Sequence, residues 1–340
     1  MVTKLRRRGV SRVGLLVLIV ILGLLVGCAA VVMLRQQESA RRMRCTKNLK
    51  MIGIALQGHI ETHGAYPPGL PSCTEKNWIQ GGVEEGAVCQ GPNWASLILG
   101  NMAETLMYEQ LFESMKTDRN AAAETEAAPG NLGRTTPRFY VCPSAYAMSP
   151  ENRIATYGFK NISKGNYAAC WGSDTYMSFE NPNTAGVFGV VMLPGYRDHD
   201  PKGTWKMGHK WGTRTIGDGA HNTLAVSEVL GYDSKEDGRG GWVLNAMGAS
   251  AFTARYGPNA EQDDHVPMCE EQIDEKNPLH CTENRKDGGV WASARSRHPG
   301  GVNAATCDGA VRFFSDTIEL EVWRALSTRS GPKDEPRSPE

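Results

Sequence analysis

Residues 13–64 read VGLLVLIVILGLLVGCAAVVMLRQQESARRMRCTKNLKMIGIALQGHIETHG. The first part, residues 13–34, contains 22 residues without a charged side chain. At about 1.5 Å per residue, a helix of this length reaches roughly 33 Å, enough to cross the roughly 30 Å hydrocarbon core of a membrane. The apolar core of a cleaved secretory signal is shorter, about 7–15 residues. Residues 13–34 therefore predict the transmembrane half of a first helix.

Residues 35–64 continue this helix with a different pattern. They contain no proline, and their apolar side chains recur every three or four residues, as on one face of an amphipathic helix. These positions are Leu49, Ile52, Leu56 and Ile60. Gly64 is a typical helix end, and prolines follow it at 67 and 68. We expect one continuous helix, with residues 13–34 in lipid and residues 35–64 packed along a folded domain.

Basic residues flank the apolar segment on both sides, and five of them lie in residues 1–12. A basic N-terminal flank favours the cytoplasmic side, so we predict that residues 1–12 form a cytoplasmic leader. The basic residues after residue 34 weaken this bias, but the cysteines favour an exported domain. The prediction is a single-pass protein of the bacterial inner membrane with a cytoplasmic N-terminus and a periplasmic C-terminal domain.

The overall charge argues against one class of partner. The 340 residues include 37 basic and 37 acidic ones, for a net charge of zero. Nucleic-acid binding needs a basic surplus or stripe, and the basic surplus here is confined to the N-terminal region. We therefore expect no nucleic-acid partner.

The chain has nine cysteines. Cys73–Cys89 and Cys269–Cys281 each bracket a short polar stretch containing Gly or Pro, which predicts two locally closed disulfide loops in an exported protein. The alternative is a chance spacing of reduced thiols. The pairing of the other cysteines in the body of the chain is left open: Cys45, Cys142, Cys170 and Cys307.

The pattern after residue 64 predicts an α+β fold, in which the long helix packs on an antiparallel sheet with loop insertions. We place an extracytoplasmic domain at residues 65–330 and a disordered tail at 331–340. A helix-like run occupies residues 94–112. Short β-like runs lie at 138–142, 165–171, 187–193 and 222–229.

The C-terminal segment VNAATCDGAVRFFS, residues 302–315, predicts a β-hairpin. The pair Asp308-Gly309 favours a two-residue type I′ turn between its strands. After the hairpin, Asp316 as N-cap and Glu319 three residues later predict a short amphipathic helix.

Seven segments resemble, in order, those of the bacterial DUF1559 proteins, which are described as pseudopilin-like and related to type II secretion. The segments are NLKMIGIALQGHIETHGAYPPG (48–69), WASLILGNMAETLMYEQLF (94–112), FYVCPS (139–144), GNYAACWG (165–172), GVFG (186–189), IGDGAHNTLAVSE (216–228) and SRHPGGVNAATCDGAVRFFSDTIELEVWRALSTR (296–329). The last carries the family's H-X9-DG motif, His298 followed after nine residues by Asp308-Gly309.

The resemblance implies a prepilin-like N-terminus, a long first helix and a pilin-like domain outside the inner membrane. Family members usually carry Gly-Phe-Thr-Leu-Ile-Glu at the cleavage site, whereas this chain has Val10 in place of the phenylalanine and Gly14 in place of the glutamate. The missing carboxylate counts against cleavage between Gly9 and Val10 and against filament assembly.

Three fates remain open for the N-terminal segment. It is an uncut anchor, a prepilin leader cleaved after Gly9, or a lipoprotein signal whose Cys28 is lipidated. The six residues after Cys28 are apolar, whereas a lipoprotein normally becomes polar there, so we favour the uncut anchor and place lipidation third. Gly23 and Gly27 form a GxxxG pattern, which allows self-association of the helix.

Few residues suggest a chemical site, and we assign no catalytic residue, metal ligand or cofactor. His298 and Asp308 could form a functional pair, but turn geometry is the favoured role for both of them and for Gly309. His59 and His63 have metal-compatible i, i+4 spacing on the first helix, and packing is the favoured role.

Two metal sites were weighed as weaker alternatives. A zinc site could use four ligands that lie close in sequence: His265, Cys269, His280 and Cys281. A disulfide between the two cysteines is favoured instead. Asp233, Glu236 and Asp237 could bind calcium in a Gly-rich loop, but they lack the ligand order of an EF-hand.

The favoured function is a non-enzymatic, membrane-anchored pseudopilin-like protein that serves as a structural component of a secretion or transport apparatus. Its expected partners are the inner membrane and other pseudopilin-like or secretion-system subunits. The alternative is a membrane-tethered binding protein for a solute or polysaccharide. This alternative depends on exposed tryptophans: Trp78, Trp94, Trp171, Trp211 or Trp242.

Overall fold

A computed structural model describes eleven segments of the chain: 12–72, 92–102, 104, 106–110, 132–145, 148–155, 161–192, 213, 215–270, 272–283 and 289–332. Within them the chain is α+β, as predicted. One long helix lies on one face of a five-stranded sheet, and a short C-terminal helix lies on the other face.

Helix α1 spans Arg12–His63 without interruption. It ends where the sequence predicts, because Gly64 adopts a positive φ of 71° and donates its N–H to Ile60 O at 2.7 Å. The side chains of residues 15–34 are exposed all round. The second half is amphipathic, and its buried side chains include Leu49, Ile52 and Leu56. The side chains of α1 thus change from exposed all round in residues 15–34 to partly buried in the second half of the helix.

The described strands are β1 (Leu70–Ser72), β2 (Tyr167–Cys170), β3 (Val190–Met192), β4 (Leu224–Glu228), β5 (Ala251–Phe252), β6 (Asp264–Val266), β7 (Cys281–Glu283), β8 (Gly301–Thr306) and β9 (Val311–Ser315). The main sheet has the order β5-β2-β4-β8-β9. Two further sheets each consist of one parallel pair, β1 with β3 and β6 with β7.

The main sheet corrects the prediction of an antiparallel sheet. Four strands, β2, β4, β8 and β9, pair antiparallel, but the edge strand β5 runs parallel to β2. The chain returns from residues 229–250 in the same direction as β2, and Ala169 and Trp171 donate their N–H groups to Ser250 O and Phe252 O at 2.9 Å. The sheet is therefore mixed.

The remaining described helices are short. They are α2 (Trp94–Leu97), a helical stretch at residues 106–110, the C-terminal helix (Leu320–Ser327) and six 3₁₀ turns: Leu99–Met102, Leu132–Arg134, Arg138–Tyr140, Pro150–Asn152, Tyr176–Glu180 and Ala220–Asn222.

The β-like run at residues 138–142 is wrong as a strand prediction, since Arg138–Tyr140 forms a 3₁₀ turn. The turn lets Tyr140 point inward, where its hydroxyl donates to Ala95 O at 2.7 Å. The next N–H groups bond outside any sheet, and Cys142 N donates to Asn166 Oδ1 at 3.0 Å.

The C-terminal hairpin is present, with Ala305 opposite Val311, but its turn differs from the predicted type I′. Gly309 has a positive φ of 78° and Asp308 does not. Gly309 N bonds Thr306 O at 2.8 Å, which gives a three-residue loop with glycine in the left-handed position. The helix after it begins at Leu320 rather than Asp316, with no side-chain cap at Glu319.

The sheet separates two apolar cores. On one face Leu49, Ile52 and Leu56 of α1 pack with Trp94 and Trp242. The other face meets the C-terminal helix through side chains that include Phe252, Val302, Phe314, Trp323 and Leu326. Neighbouring residues of β2 pack into different cores: Ala169 lies in the core beside α1, and Ala168 lies in the core beside the C-terminal helix. This alternation follows from the pleat of a strand.

Candidate functional site

His298 lies in the turn that leads into β8, and its imidazole points into the protein. Its N–H donates to Ser296 Oγ at 3.0 Å, while that hydroxyl donates to Gly301 O at 2.7 Å. Gly300 completes the turn with a positive φ of 82°. The side chain of His298 is 0% exposed, so the local turn places a titratable ring inside the domain.

Two carboxylates bind the two ring nitrogens of His298. Glu38 of α1 places Oε1 at 2.7 Å from Nδ1, and Glu228 at the end of β4 places Oε1 at 3.1 Å from Nε2. Both nitrogens can donate at once only when the imidazole is protonated. His298 therefore joins the long helix to the central strand of the sheet.

The pKa of His298 reflects opposing effects. Burial lowers it, because a charged ring loses its hydration. The hydrogen bond and negative charge of Glu228, followed by those of Glu38, act the other way, and the pKa of His298 is raised above its ordinary value. The cluster thus favours the imidazolium form, which compensates the buried carboxylate.

Asn303 of β8 and Ser144 supply further donors to the carboxylates. Asn303 N donates to Glu228 Oε2 at 2.7 Å, and its Nδ2 reaches Oε1 at 3.1 Å and Oε2 at 3.2 Å. Ser144 Oγ lies 2.9 Å and 3.1 Å from the two carboxylate oxygens of Glu38. Glu228 is 1% exposed, and a carboxylate so deeply buried needs donors of this kind.

A disulfide lies directly beside the histidine. Cys45 of α1 is bonded to Cys142, 97 residues later in the chain. Cys142 Sγ is 3.6 Å from His298 Nε2 and 3.7 Å from Glu228 Oε1. The sequence left the pairing of both cysteines open, because no local spacing connects them.

The donor atoms of Cys45, Cys142, Glu228 and His298 all lie within 4.8 Å of one another, and all four residues are buried. We call this group the His298 cluster. Thiolate sulfur, imidazole nitrogen and carboxylate oxygen are the three ligand types that zinc takes in proteins. Among the residues that the structure describes, this is the one group of three or more such side chains close enough to share an ion.

A family model described as a protein of unknown function, DUF1559, matches residues 35–321. The chain belongs to the DUF1559 family. No curated protein and no solved structure matches it.

The His298 cluster does not include Asp308, the residue with which the sequence suggested a functional pair. Asp308 lies in the hairpin turn at the far end of β8, where it accepts from Thr306 Oγ1 at 2.6 Å and from Ala310 N at 3.0 Å. Gly309 contacts α1 instead, since its carbonyl accepts from Lys50 Nζ at 2.8 Å. His298 and Gly309 therefore lie beyond the two ends of β8. His298 contacts Glu38 of α1, and Gly309 contacts Lys50 of α1.

The two histidines of α1 do not form a metal site together. Their rings stack at 4.2 Å, and His59 donates from Nδ1 to Ala65 O at 2.9 Å. His63 places Nδ1 at 3.2 Å from His59 O. Burial, and to a lesser extent the neighbouring charge of His63, lower the pKa of His59 to about 4, against the opposing effect of the bond to Ala65.

The alternative zinc site in the DUF1559 domain is replaced by the predicted disulfide. Cys269 and Cys281 are bonded to each other. His265 stacks on Trp291 with ring centroids 3.8 Å apart, and His280 pairs with Asp263 at 2.8 Å. The two rings thus serve different partners.

The acidic loop offers no shared calcium site either. Asp233 accepts from Ser149 N and Oγ, both at 2.9 Å. Asp237 is 0% exposed and pairs with Arg239 at 2.8 Å. The two carboxylates therefore bind different partners, Ser149 and Arg239.

The tryptophan prediction is wrong for three of its five residues, because Trp94, Trp171 and Trp242 are buried in the core. Trp78 and Trp211 lie outside the described residues.

Other predicted site residues have the following positions. Cys73 and Cys89, and the cleavage residues Gly9 and Val10, also lie outside the described residues. Cys28 is free and exposed. Gly23 and Gly27 have nothing within 4 Å of an added Cβ, and their role in self-association stays a prediction.

Sequence reasoning missed most of the His298 cluster. Glu228 ends an apolar strand, and Glu38, which binds His298 without belonging to the cluster, lies within a basic stretch. Only His298 was singled out, through the family motif. A charged residue at the end of the buried run LAVSE was the available signal, because a fully buried carboxylate requires a partner.

Proposed function

We propose that this DUF1559 protein is a non-enzymatic, single-pass membrane protein whose pilin-like domain is a structural component of a secretion or transport apparatus. One observation carries the proposal. Helix α1 runs unbroken through Arg12–His63, and its first half is exposed and apolar while its second half belongs to the core of the domain. A chain built only to tether a domain needs no such rigid connection.

The exposed half of α1 supports a membrane anchor. Among the described residues this is the one helix long and apolar enough to cross a membrane. Side chains such as Leu16, Leu25 and Leu34 are 60–65% exposed, a state that water disfavours by roughly 25 cal/mol per Å² of apolar surface. Lipid removes that cost.

The Glu38–His298 bond and the Cys45–Cys142 disulfide support a mechanically rigid connection between the membrane and the domain. Glu38 is four residues past the apolar segment, and its bond to His298 attaches α1 to the turn before β8. The disulfide Cys45–Cys142 adds a covalent attachment seven residues later. A force on the domain would therefore reach the membrane segment through covalent and ionic links, without an intervening hinge.

The outer face of α1 supports contacts with other subunits. Met43, Met51 and Ile54 are 65%, 38% and 52% exposed. On a helix with 100° per residue they lie within about 80° of one another, so they form a narrow apolar stripe that continues outward from the membrane segment. We propose that this stripe packs against a second pseudopilin-like subunit.

The chemistry of the His298 cluster supports a non-enzymatic role. A serine nucleophile is activated by a hydrogen bond to a basic imidazole. Ser144 donates instead to Glu38, and both nitrogens of His298 are directed at carboxylates. The geometry suits attachment of α1 better than acyl transfer.

The proposed location is the bacterial inner membrane, with a cytoplasmic N-terminus and a periplasmic domain. Two disulfides among the described residues fit an oxidising compartment. With Gly14 in place of the prepilin glutamate, we propose an uncut anchor that associates laterally and does not build a long filament.

Bismaleimide cross-linking in membranes tests this function. In a Cys28→Ser background, Ile54→Cys on the stripe should form cross-linked species, whereas Glu321→Cys on the C-terminal helix, which packs on the other face of the sheet, should not. Mass spectrometry of the wild-type protein, which keeps Cys28, should find an N-terminus at Met1 or Val2 after extraction from membranes, and a start at Val10 would show that the anchor is cut. A mature chain that begins at lipidated Cys28, or equal cross-linking at the two positions, would contradict the proposal.

A second function, solute binding, is favoured by one observation. A cleft of about 480 Å³ lies beside Cys142, and its lining includes Arg134, Arg153 and Lys164. Its volume is typical of small-molecule sites, and its basic lining suits an anionic solute. Calorimetry with uronic-acid oligosaccharides tests this alternative, and heat of binding that Arg153→Ala abolishes would favour it over the structural role.

A further inference from the structure

We propose that the His298 cluster is a zinc site when the Cys45–Cys142 disulfide is reduced. Cys45, Cys142, His298 and Glu228 would then bind one Zn²⁺ at the junction of α1 and the sheet. The inference is independent of the proposed structural role, since it concerns only these four side chains and their neighbours.

Two of the distances already match the edges of a tetrahedral zinc site, and a third is a few tenths of an ångström shorter. Zinc bonds of about 2.3 Å to sulfur, about 2.0 Å to nitrogen and about 2.1 Å to oxygen give ligand–ligand edges of roughly 3.3–3.8 Å. Cys142 Sγ lies 3.6 Å from His298 Nε2 and 3.7 Å from Glu228 Oε1. The third edge, from His298 Nε2 to Glu228 Oε1, is 3.1 Å. These three ligands need little movement.

Cys45 supplies the fourth ligand once the sulfur–sulfur bond is broken. The two sulfurs must then separate to about 3.8 Å, the edge that two thiolates span on one zinc ion. Cys45 is on α1, and its Cα is 5.0 Å from that of Cys142. Rotation about the Cα–Cβ bonds can supply much of this separation while the backbone stays in place.

The surroundings resemble the outer shell of a metal site. A ligating imidazole normally donates its second N–H to a carboxylate, which orients the ring and makes it a better ligand. Glu38 provides this acceptor at 2.7 Å from Nδ1. Asn303 N holds the other oxygen of Glu228 at 2.7 Å, which leaves Oε1 facing the sulfurs. Both outer contacts exist before any ion is bound.

The site would form in two steps, reduction of the Cys45–Cys142 disulfide and then binding of zinc. A phosphine reductant and one water convert the disulfide to two thiols, and the phosphine becomes its oxide. Zinc then replaces the two thiol protons and the proton on His298 Nε2, so binding releases up to three protons. The bound ion offsets the negative charge of two thiolates and Glu228, the carboxylate that pairs with the imidazole of His298 before binding.

The second disulfide provides an internal control. Cys281 Sγ is 3.8 Å from Asp237 Oδ2, but that carboxylate pairs with the guanidinium of Arg239. Arg239 is 1% exposed and also pairs with Asp264 at 3.1 Å. A fixed buried cation next to the sulfurs repels Zn²⁺, so reduction of Cys269–Cys281 should create no zinc site.

Differential alkylation of the wild-type full chain in detergent tests the proposal without a mutation. The protein is reduced with a phosphine, divided, and treated with iodoacetamide in the presence of either Zn²⁺ or EDTA. Peptide mass spectrometry should show that zinc slows alkylation of Cys45 and Cys142 at least tenfold and leaves Cys269 and Cys281 unchanged. Equal rates with and without zinc at Cys45 and Cys142 would overturn the proposal.

Metal content provides the second measurement. After gel filtration, the reduced wild type and a Cys269→Ser/Cys281→Ser variant should each carry one more zinc than Cys45→Ser/Cys142→Ser. Glu38→Gln leaves all four ligands in place and should weaken zinc binding about 10–100-fold, with unchanged circular dichroism. Equal zinc content in wild type and Cys45→Ser/Cys142→Ser would assign the metal to other thiols and refute the site.

Discussion

The two disulfides in the described part of the chain differ in their surroundings and in the number of residues between their cysteines. Cys269–Cys281 closes a loop of 12 residues beside the buried pair Asp237–Arg239. Cys45–Cys142 connects segments 97 residues apart and lies beside His298 and Glu228. The first closes a local excursion. The second attaches the long helix α1 to the rest of the domain, and this difference predicts unequal effects when each is removed.

Removal of the long-range disulfide should have the largest effect. In the loop-entropy treatment, Cys45→Ala/Cys142→Ala should lower the free energy of unfolding by about 5 kcal/mol, and Cys269→Ala/Cys281→Ala by about 3 kcal/mol. Urea titration of the full chain in detergent measures both. Equal losses, or a larger loss at Cys269–Cys281, would show that the attachment of α1 does not depend on its disulfide.

The second-largest loss of stability should follow removal of the buried ion pair beside the Cys269–Cys281 disulfide. Arg239→Met leaves Asp237 without its buried partner and should cost about 3–5 kcal/mol. Arg324→Met is the matched control, since its pair with Glu321 is exposed and should contribute less than about 1 kcal/mol. The same urea titrations compare them. Similar small losses for both variants would contradict a structural role for the buried pair.

His59 tests the attachment of α1 without altering either disulfide. It lies in the half of α1 that packs on the domain, and its folded pKa of about 4 is below the ordinary 6.5. Between pH 6.5 and about pH 4, His59 is protonated in the unfolded chain and neutral in the folded protein. The free energy of unfolding therefore falls as the pH falls through this range. Between pH 7.5 and 4.5 the loss from this group should be about 2–3 kcal/mol.

His59→Gln removes this titration and keeps an amide N–H for Ala65 O. Urea titrations at the two pH values should therefore give a smaller acid-side loss for the variant than for the wild type. The same loss in both proteins would exclude His59 as the cause.

The Glu38 link should give the smallest change. Glu38→Gln removes the charge from one bond to His298 while that carboxyl remains 27% exposed, so solvent screening limits the cost to about 1 kcal/mol. Glu321→Gln, in an exposed i, i+3 pair, should change stability by at most about 0.5 kcal/mol. Thermal unfolding in detergent should give different midpoints for the two variants. Identical midpoints would show that Glu38 does not help to hold α1 on the domain.

The features that sequence predicted are those set by neighbouring residues. Helix α1 and its end at Gly64 follow from apolar spacing and from the conformational freedom of glycine. The disulfide Cys269–Cys281 follows from its short loop. Strands β2 and β4 follow from compact runs of small and β-branched residues at 165–171 and 222–229.

The features that sequence did not predict depend on long-range packing. Residues 138–142 were expected to form a strand, but burial of Tyr140 against Ala95 favours a 3₁₀ turn. Trp94 is in the core because its indole donates to Ser250 O at 2.8 Å, which satisfies the polar group that would otherwise favour the surface. Cys45 and Cys142 meet only after α1 packs on the domain.

Amide hydrogen exchange on the full chain in lipid nanodiscs tests whether one rigid helix extends from the apolar segment into the domain core. Residues 13–63 should be protected continuously, with protection across residues 35–44 within about tenfold of that in residues 45–59. Unprotected amides across residues 35–44, between two protected halves, would show a hinge and contradict the account.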